Sequence, residues 1–294
     1  DISVALCPDG SGDHCLWIAD SGNVRRDREA FFVHVFKEPD LEAMGKYGTI
    51  EDWDIWTFAY QLPLDRHGER PWIDIESLVV APDASKFWLV EKTVYNGGEG
   101  PVTVWETPAD MAPTDLVRSD SDSGKNVLFD LTQRGHDAVW DHPEMLIEMK
   151  LVNRIKNPRI QRATAFLRPE NFDPPLPQWA EEKYREGGQD WNKLRAITGV
   201  DLHPSGKALV ACTYSGIWEY PLSRPYDLSS ASMGEPRLLS VTSKYDDPFW
   251  QTEAIAYDSA GDGIWLASEY VRGHQPLRFF GCRDAVTDPN TFLE

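Results

Sequence analysis

The chain has 294 residues, of which 41% are hydrophobic, so it is long enough to bury a large core. Its 48 acidic residues outnumber its 29 basic residues, and the net charge of -19 repels phosphate backbones and anionic membrane surfaces. We therefore expect no nucleic-acid partner, and the lack of an apolar run of roughly 18 to 20 residues predicts no membrane insertion. Such acidity is typical both of secreted soluble surfaces and of proteins that bind cations.

The first predicted element is a hairpin closed by two cysteines. The sequence starts at Asp1 inside a strand-like pattern and without Met, so we expect that an upstream segment has been removed and that the protein is secreted or periplasmic. Cys7 and Cys15 flank a Pro-Asp-Gly-Ser-Gly-Asp turn and would face each other across the hairpin. We expect a disulfide there, and the alternative is two small buried thiols. Zinc is disfavoured, because the cysteines lack CxxC-like spacing and no His stands at ligand spacing beside them.

Four segments of the chain share one design, in which a strand, a tight turn and a second strand follow each other. The turns are rich in Pro, Asp, Ser and Gly, and the flanking runs are β-branched and aromatic. A third strand follows each pair after a gap, and a fourth follows most of them. The predicted strand pairs are 3–9 with 15–20, 77–83 with 87–91, 199–205 with 209–213 and 254–258 with 264–269. The predicted third strands are 31–36, 102–105, 217–220 and 277–280, and the fourth strands are 55–60, 126–130 and 237–241.

Repeated units of three or four antiparallel strands predict an all-β fold, a β-propeller of five four-stranded blades. The pattern blurs between about 108 and 195, where residues 144–152 and 163–167 predict strands of a degenerate blade. A sixth blade follows if this region holds two. Residues from about 168 to 193 predict an irregular insertion with one short helix, because a Pro cluster precedes a polar run. We expect residues 1–294 to form a single propeller domain.

Several motifs in these repeats resemble a group of largely uncharacterised bacterial secreted β-propellers, which is distantly similar to esterase-like phytases and calcium-dependent gluconolactonases. The motifs are Trp17-Ile-Ala-Asp-Ser-Gly-Asn23, Phe36-Lys-Glu-Pro39, Asp74-Ile-Glu-Ser-Leu-Val-Val, Ile197-Thr-Gly-Val-Asp-Leu-His-Pro and Thr252-Glu-Ala-Ile-Ala-Tyr-Asp. The resemblance covers most of the chain outside about 108–195 and implies a propeller fold. Its likeness to the distant enzymes is at the level of the fold alone, so function has to be argued from the site.

Acidic residues occupy the strand ends that would share one mouth of the ring. In a propeller the innermost strand starts at one face and the second strand returns to it, so the residues before the first strand and after the second lie together. In this chain these residues are Asp1, Asp20, Asp74, Glu76, Glu91, Glu253 and Glu269, with Thr198 and Thr213 in the third repeat. Converging carboxylates repel one another unless a cation neutralises them or some have a raised pKa.

The ligand chemistry at this mouth favours calcium. Hard oxygen ligands without Cys or His favour calcium or magnesium, and a rigid ring of carboxylates favours calcium of the two. The alternative is a structural role, in which the acidic and hydroxyl side chains bond to backbone amides and tie one blade to the next. The sequence therefore predicts a Ca²⁺ site at the channel mouth, with Asp1, Asp20, Asp74, Glu76 and Glu253 as metal ligands.

Two classes of function follow from such a site. One is a binding or scaffold module that takes a small molecule, a glycan or a protein at the channel mouth. The other is a calcium-dependent hydrolase of lactonase, esterase or phosphoesterase type, in which the metal polarises the substrate and a carboxylate activates water. Serine hydrolase, zinc protease and nucleotide chemistry are disfavoured, because no Gly-x-Ser-x-Gly, His-Glu-x-x-His or phosphate-binding Gly-rich motif occurs. The candidate catalytic residues are Glu76, Glu91, Lys92, Glu253, Glu269 and His274.

Most of the 12 tryptophans are expected to pack between blades. Trp17, Trp88, Trp218 and Trp265 recur at what the repeats predict to be equivalent strand positions. We therefore expect these four side chains to be buried.

Overall fold

The fold is described from a computed structural model. It describes residues 1–23, 30–40, 42, 55–69, 71, 73–92, 101–108, 117–118, 146–155, 196–213, 216–231, 236–241, 252–268 and 277–281. Apart from a short 3-10 helix, Leu228–Ser230, the elements within these ranges are strands. In chain order they are β1 (Ile2–Leu6), β2 (His14–Asp20), β3 (Phe31–Lys37), β4 (Ile55–Gln61), β5 (Ile75–Val80), β6 (Phe87–Glu91), β7 (Val102–Glu106), β8 (Val117–Arg118), β9 (Leu146–Glu148), β10 (Lys150–Ile155), β11 (Ile197–Leu202), β12 (Ala208–Thr213), β13 (Gly216–Pro221), β14 (Arg237–Val241), β15 (Thr252–Tyr257), β16 (Gly263–Ser268) and β17 (Leu277–Gly281).

The strands form four sheets, each built around an antiparallel meander of consecutive strands. The first sheet has the order β1-β2-β3-β4-β8, and β9 adds to β4 in parallel. The second has the order β10-β7-β6-β5, the third β11-β12-β13-β14 and the fourth β15-β16-β17. This is the strand order of propeller blades, so the predicted all-β, blade-type architecture is confirmed. Within the described ranges, no helix is long and apolar enough to cross a membrane.

The predicted number of blades is wrong for the described part of the chain, which forms four sheets and not five or six. Lys150–Ile155 lies in the stretch assigned to a degenerate blade, yet it pairs with β7 and completes the second sheet. Leu146–Glu148, just before it, pairs with β4 of the first sheet. Both pairings join residues far apart in sequence, which a local strand pattern does not reveal. The predicted strands 126–130 and 163–167 and the insertion at about 168–193 lie outside the described residues.

The chain divides into two compact units, and each is described by itself. The first unit comprises Asp1–Thr93 and Pro101–Ile155, and the second comprises Val94–Gly100 and Lys156–Glu294. A single domain over residues 1–294 stays a prediction.

The core of the first unit is aromatic. The Trp17 ring stacks on Phe58 with centroids 5.4 Å apart, and Phe58 meets Phe87 edge-on at 5.5 Å. All three side chains are fully buried. They come from β2, β4 and β6, so this cluster packs the first sheet on the second. Burying each ring contributes about 1.5–3 kcal/mol, which holds the strand ends of the two sheets in a fixed relation.

The second unit has an aliphatic core between its two sheets. Val210 and Ile217 of the third sheet pack with Ile255, Ile264 and Leu266 of the fourth. All five side chains are buried. Because the third and fourth sheets share this core, the starts of their first strands are also fixed relative to each other.

The disulfide predicted in the first hairpin is present. Cys7 and Cys15 are bonded with a Cα–Cα distance of 4.9 Å, and both are buried. The Cys7 amide donates to the Asp13 carbonyl oxygen at 2.8 Å, which closes the same turn. The Asp9 carboxylate accepts the Ser11 amide at 2.9 Å, so it serves the turn itself. Cys212 is a buried free thiol, whereas Cys282 lies outside the described residues.

Candidate functional site

A β-bulge recurs at the start of three of the four first strands. The pairing register shifts between Ile75 and Ser77, between Ile197 and Gly199, and between Thr252 and Ala254. A bulge leaves one residue unpaired in the ladder and re-aims its side chain. The residues skipped in this way are Glu76 in the first unit and Thr198 and Glu253 in the second.

Asp74 is the most deeply buried of the predicted mouth acids in the first unit, with 3% of the residue exposed. Its Oδ1 accepts the Asn23 amide at 2.7 Å, which ties the end of the first hairpin to the second sheet. Its Oδ2 is buried and has no hydrogen-bond partner among the described residues. Leaving a buried carboxylate oxygen unsatisfied is costly, so this atom marks a place where a positively charged group would be stabilised.

Glu76 lies beside this carboxylate and forms an ion pair with Lys92. The Lys92 Nζ is 3.5 Å from Oε1 of Glu76, with 13% of the lysine side chain and 31% of the glutamate side chain exposed. The Lys92 amide also donates to the Asp74 carbonyl oxygen at 2.7 Å, so the two residues lie opposite each other at the strand ends. Burial raises the pKa of Glu76, the Lys92 ammonium opposes that rise, and the Asp74 carboxylate adds to it.

Glu91 ends β6 and is held by the neighbouring strand. Its Oε2 accepts hydrogen bonds from the Thr103 hydroxyl and, at 3.3 Å, from the Thr103 amide. The Trp105 indole in turn donates to the Thr103 hydroxyl oxygen at 2.9 Å. Burial raises the pKa of Glu91, the hydrogen bonds from Thr103 and the charge of Arg154 lower it, and the Asp74 charge raises it. The contacts of Glu91 thus lie within the second sheet, whereas the structural alternative expects bonds from one blade to the next.

Asp1 also ties two strands together. Its Oδ2 accepts the Leu78 amide at 2.8 Å, and its Oδ1 accepts the Ile2 amide at 2.8 Å. The Ser21 hydroxyl makes a similar tether to the Ile75 carbonyl oxygen at 2.9 Å. Asp20, at the end of β2, is exposed. Asp1 therefore joins the first sheet to the second, and both of its oxygens already accept backbone hydrogen bonds.

In the third sheet, hydroxyl groups take the corresponding positions. The Thr198 hydroxyl donates to the Thr252 carbonyl oxygen at 2.6 Å and lies 3.4 Å from the Cys212 sulfur. Burial raises the pKa of the Cys212 thiol to about 12, with the Glu253 charge adding to the rise. This thiol is therefore unreactive at neutral pH. Glu253 belongs to the second unit, so its grouping with the carboxylates of the first unit stays a prediction.

A further acid outside the predicted set joins the third and fourth sheets. Asp201 Oδ2 accepts the Tyr257 amide at 2.7 Å, and burial raises the pKa of this carboxyl to about 6. The sequence contained a signal for this role, because Asp201 is an acid within a strand whose other residues are mostly apolar. Among the candidates predicted from sequence, Glu269 and His274 lie outside the described residues.

Metal geometry is not preformed in the part of the chain that is described. No group of three or more His, Cys, Asp or Glu side chains there is arranged to hold a metal ion. In the first unit, Asp74 and Glu76 instead share their surroundings with the Lys92 ammonium. The Glu76 carboxylate is therefore already paired with a positive charge.

Comparison with known proteins finds a likeness to solved structures but no family. No family model and no curated protein matches the chain. Among solved structures, the chain is similar to the β-propeller domain of Myceliophteria thermophila Cps50 (Swd1), with 11% sequence identity and a TM-score of 0.29. The match covers 94% of this chain and 54% of that one, so the chain spans about half the length of that structure. Likeness at this level carries no argument, and the resemblance to bacterial secreted propellers, phytases and gluconolactonases stays a prediction.

Proposed function

We propose that the chain is an exported binding module whose acidic mouth in the first unit binds a divalent cation, calcium by its ligand chemistry. The cation would help to hold a small-molecule, glycan or protein ligand at that mouth. The observation that carries the proposal is the buried Oδ2 of Asp74, which has no hydrogen-bond partner among the described residues. Its neighbours Glu76 and Glu91 are acids whose pKa values are raised by burial and, to a smaller extent, by the Asp74 charge, so the carboxylates lie close enough to repel one another.

The charge balance supports a cation over an anion. The acids at this mouth are Asp1, Asp20, Asp74, Glu76 and Glu91, and the positive groups that act on them are Lys92, Arg154 and the Asp1 amino group. Hard carboxylate oxygens without Cys or His prefer calcium or magnesium. The buried disulfide between Cys7 and Cys15 supports an oxidising compartment, such as the extracellular space or the periplasm. The alternative of a calcium-dependent hydrolase stays a prediction.

Calcium titration of the chelator-treated protein tests the proposal. We expect saturable binding by isothermal titration calorimetry, and calcium at 100 times its Kd should stabilise the fold by about 2.7 kcal/mol. For a unit of this size that is a rise in Tm of about 5 to 10 °C.

Asp74→Asn preserves the shape of the side chain and removes its charge, so it should weaken calcium binding at least about tenfold. The matched control is Glu38→Gln, which neutralises an exposed carboxylate at the hairpin end of the first sheet and should leave binding unchanged. Absence of calcium binding by the wild-type protein, or equal binding by the Asp74 variant, would contradict the proposal.

A further inference from the structure

The cation proposed at the acidic mouth has a competitor within the chain. Lys92 is largely buried, with its Nζ 3.5 Å from Glu76 and its amide bonded to the Asp74 carbonyl oxygen. A buried ammonium usually has to be paired, because its desolvation costs several kcal/mol. Glu76 supplies that pair, and its position at a β-bulge aims its carboxylate away from the regular ladder.

Lys92 therefore stands where the first unit concentrates its negative charge, yet it leaves the buried Oδ2 of Asp74 without a hydrogen bond. The lysine ammonium does not require a defined arrangement of oxygen partners, because it is a compact charge on a flexible side chain. A metal ion would bring two charges to the same place and could accept oxygens from several directions at once.

We propose that Lys92 is an internal, displaceable counter-cation that competes with a divalent metal ion for Glu76 and Asp74. This inference rests on the proposed function and adds a residue that sets affinity and selectivity. Binding of a divalent ion would break the Lys92–Glu76 pair and expel the ammonium toward solvent. A monovalent ion brings no more charge than the lysine it replaces, so the lysine selects divalent over monovalent cations.

The test replaces Lys92 by methionine, which preserves the apolar stem and removes the charge. Lys92→Met should bind calcium at least about tenfold more tightly than wild type, the lower end of the couplings measured for close charge pairs. Its preference for calcium over potassium should also fall, which a purely structural role for the lysine would not change. Lys92→Arg keeps the charge and should stay close to wild type in both measurements.

The matched control is Lys86→Met, which removes the same charge from the same unit. Lys86 pairs with Glu106 at 3.2 Å and lies over the Trp88 ring, away from the acidic mouth. Calcium chloride is titrated by calorimetry into each chelator-treated full-length variant, and circular dichroism checks the fold. Should Lys92→Met not fold, Lys92→Gln takes its place.

Three results are decisive. Tighter binding by the Lys92 variant alone supports the inference. Equal or weaker calcium binding by that variant, while wild type binds in a manner that depends on Asp74, overturns the role of Lys92 and leaves the cation site intact. No calcium binding by wild type or by either Lys92 variant overturns the proposed function, and with it the competition.

Discussion

The pKa of Asp201 predicts how the stability of the second unit depends on pH. This carboxyl joins the third and fourth sheets through the Tyr257 amide, and burial raises its pKa from 3.8 to about 6. The folded state therefore binds a proton that the unfolded chain releases at lower pH. The contribution of Asp201 to stability is largest below about pH 4 and falls as the pH rises to about 6, by about 3 kcal/mol at 1.36 kcal/mol per pKa unit.

Asp201→Asn removes the titration and retains an oxygen that can accept the Tyr257 amide. At pH 7.5 we expect the variant to be more stable than wild type by up to about 3 kcal/mol, whereas at pH 4.5 the gain should largely disappear. Urea unfolding followed by circular dichroism at both pH values measures the difference. Glu76 and Glu91 of the first unit also have raised pKa values, but their contributions cancel when variant and wild type are compared.

Hydrogen exchange of a peptide containing Tyr257 provides a local measurement. After correction for the intrinsic pH dependence, its exchange rate in wild type should be lower at pH 5 than at pH 7.5. Asp262→Asn is the control, because this exposed carboxylate lies in the hairpin of the same unit. An identical pH dependence in wild type and in Asp201→Asn would refute the reasoning. So would a variant that is less stable than wild type at both pH values.

The remaining predictions concern packing, the disulfide and one inter-sheet tether. Trp88→Ala should cost about 3–5 kcal/mol in urea unfolding, because the ring is fully buried, whereas Trp265→Ala should cost about 1 kcal/mol or less, since Trp265 is 41% exposed. Reducing the Cys7–Cys15 bond should lower the free energy of unfolding by about 2–3 kcal/mol, from the closure entropy of a short loop; an unchanged Tm under reducing conditions would contradict this. Thr198→Val should cost about 1–3 kcal/mol and Thr198→Ser much less, because a buried carbonyl loses its donor only in the first variant.

The hairpins of the repeats could be predicted from sequence because their signals are local. The strand pair predicted at 77–83 and 87–91 is present as Ile75–Val80 and Phe87–Glu91, joined by the turn that its Pro, Asp and Ser residues indicate. Asp83 accepts the Ser85 amide at 3.1 Å within that turn. Turn residues and the alternation of apolar and polar side chains are properties of neighbouring residues, so both can be recognised in a single sequence.

The bulges and the long-range pairings could not be predicted in this way. A bulge at Glu76 depends on the register between β5 and β6, and that register is not encoded by either strand alone. The partner of Lys150–Ile155 is β7, which lies far back in the chain. Pairing between strands so far apart in sequence cannot be recognised from the residues of either strand. The predicted number of blades is wrong for the described residues for this reason.

Tryptophan burial shows the same limit. Trp17, Trp88 and Trp218 are buried as expected, but Trp218 lies on the third strand of its sheet and is not equivalent to the other two. Trp265 lies on the second strand of its sheet and is 41% exposed, next to Phe279 with ring centroids 4.8 Å apart. The strand pattern fixes which face a side chain occupies, but what covers that face depends on the packing of whole sheets.

The carboxylates of the acidic mouth are stabilised in several different ways. Backbone amides satisfy Asp1, an ammonium faces Glu76, and burial raises the pKa values of Glu76 and Glu91. A metal ion and raised pKa values are two ways to relieve this repulsion, and the described residues show raised pKa values together with an ion pair and backbone hydrogen bonds. Repulsion alone therefore does not require a metal. The observation in favour of a metal ion is the buried Oδ2 of Asp74, which has no hydrogen-bond partner among the described residues. A second positive charge beside it would stabilise that oxygen.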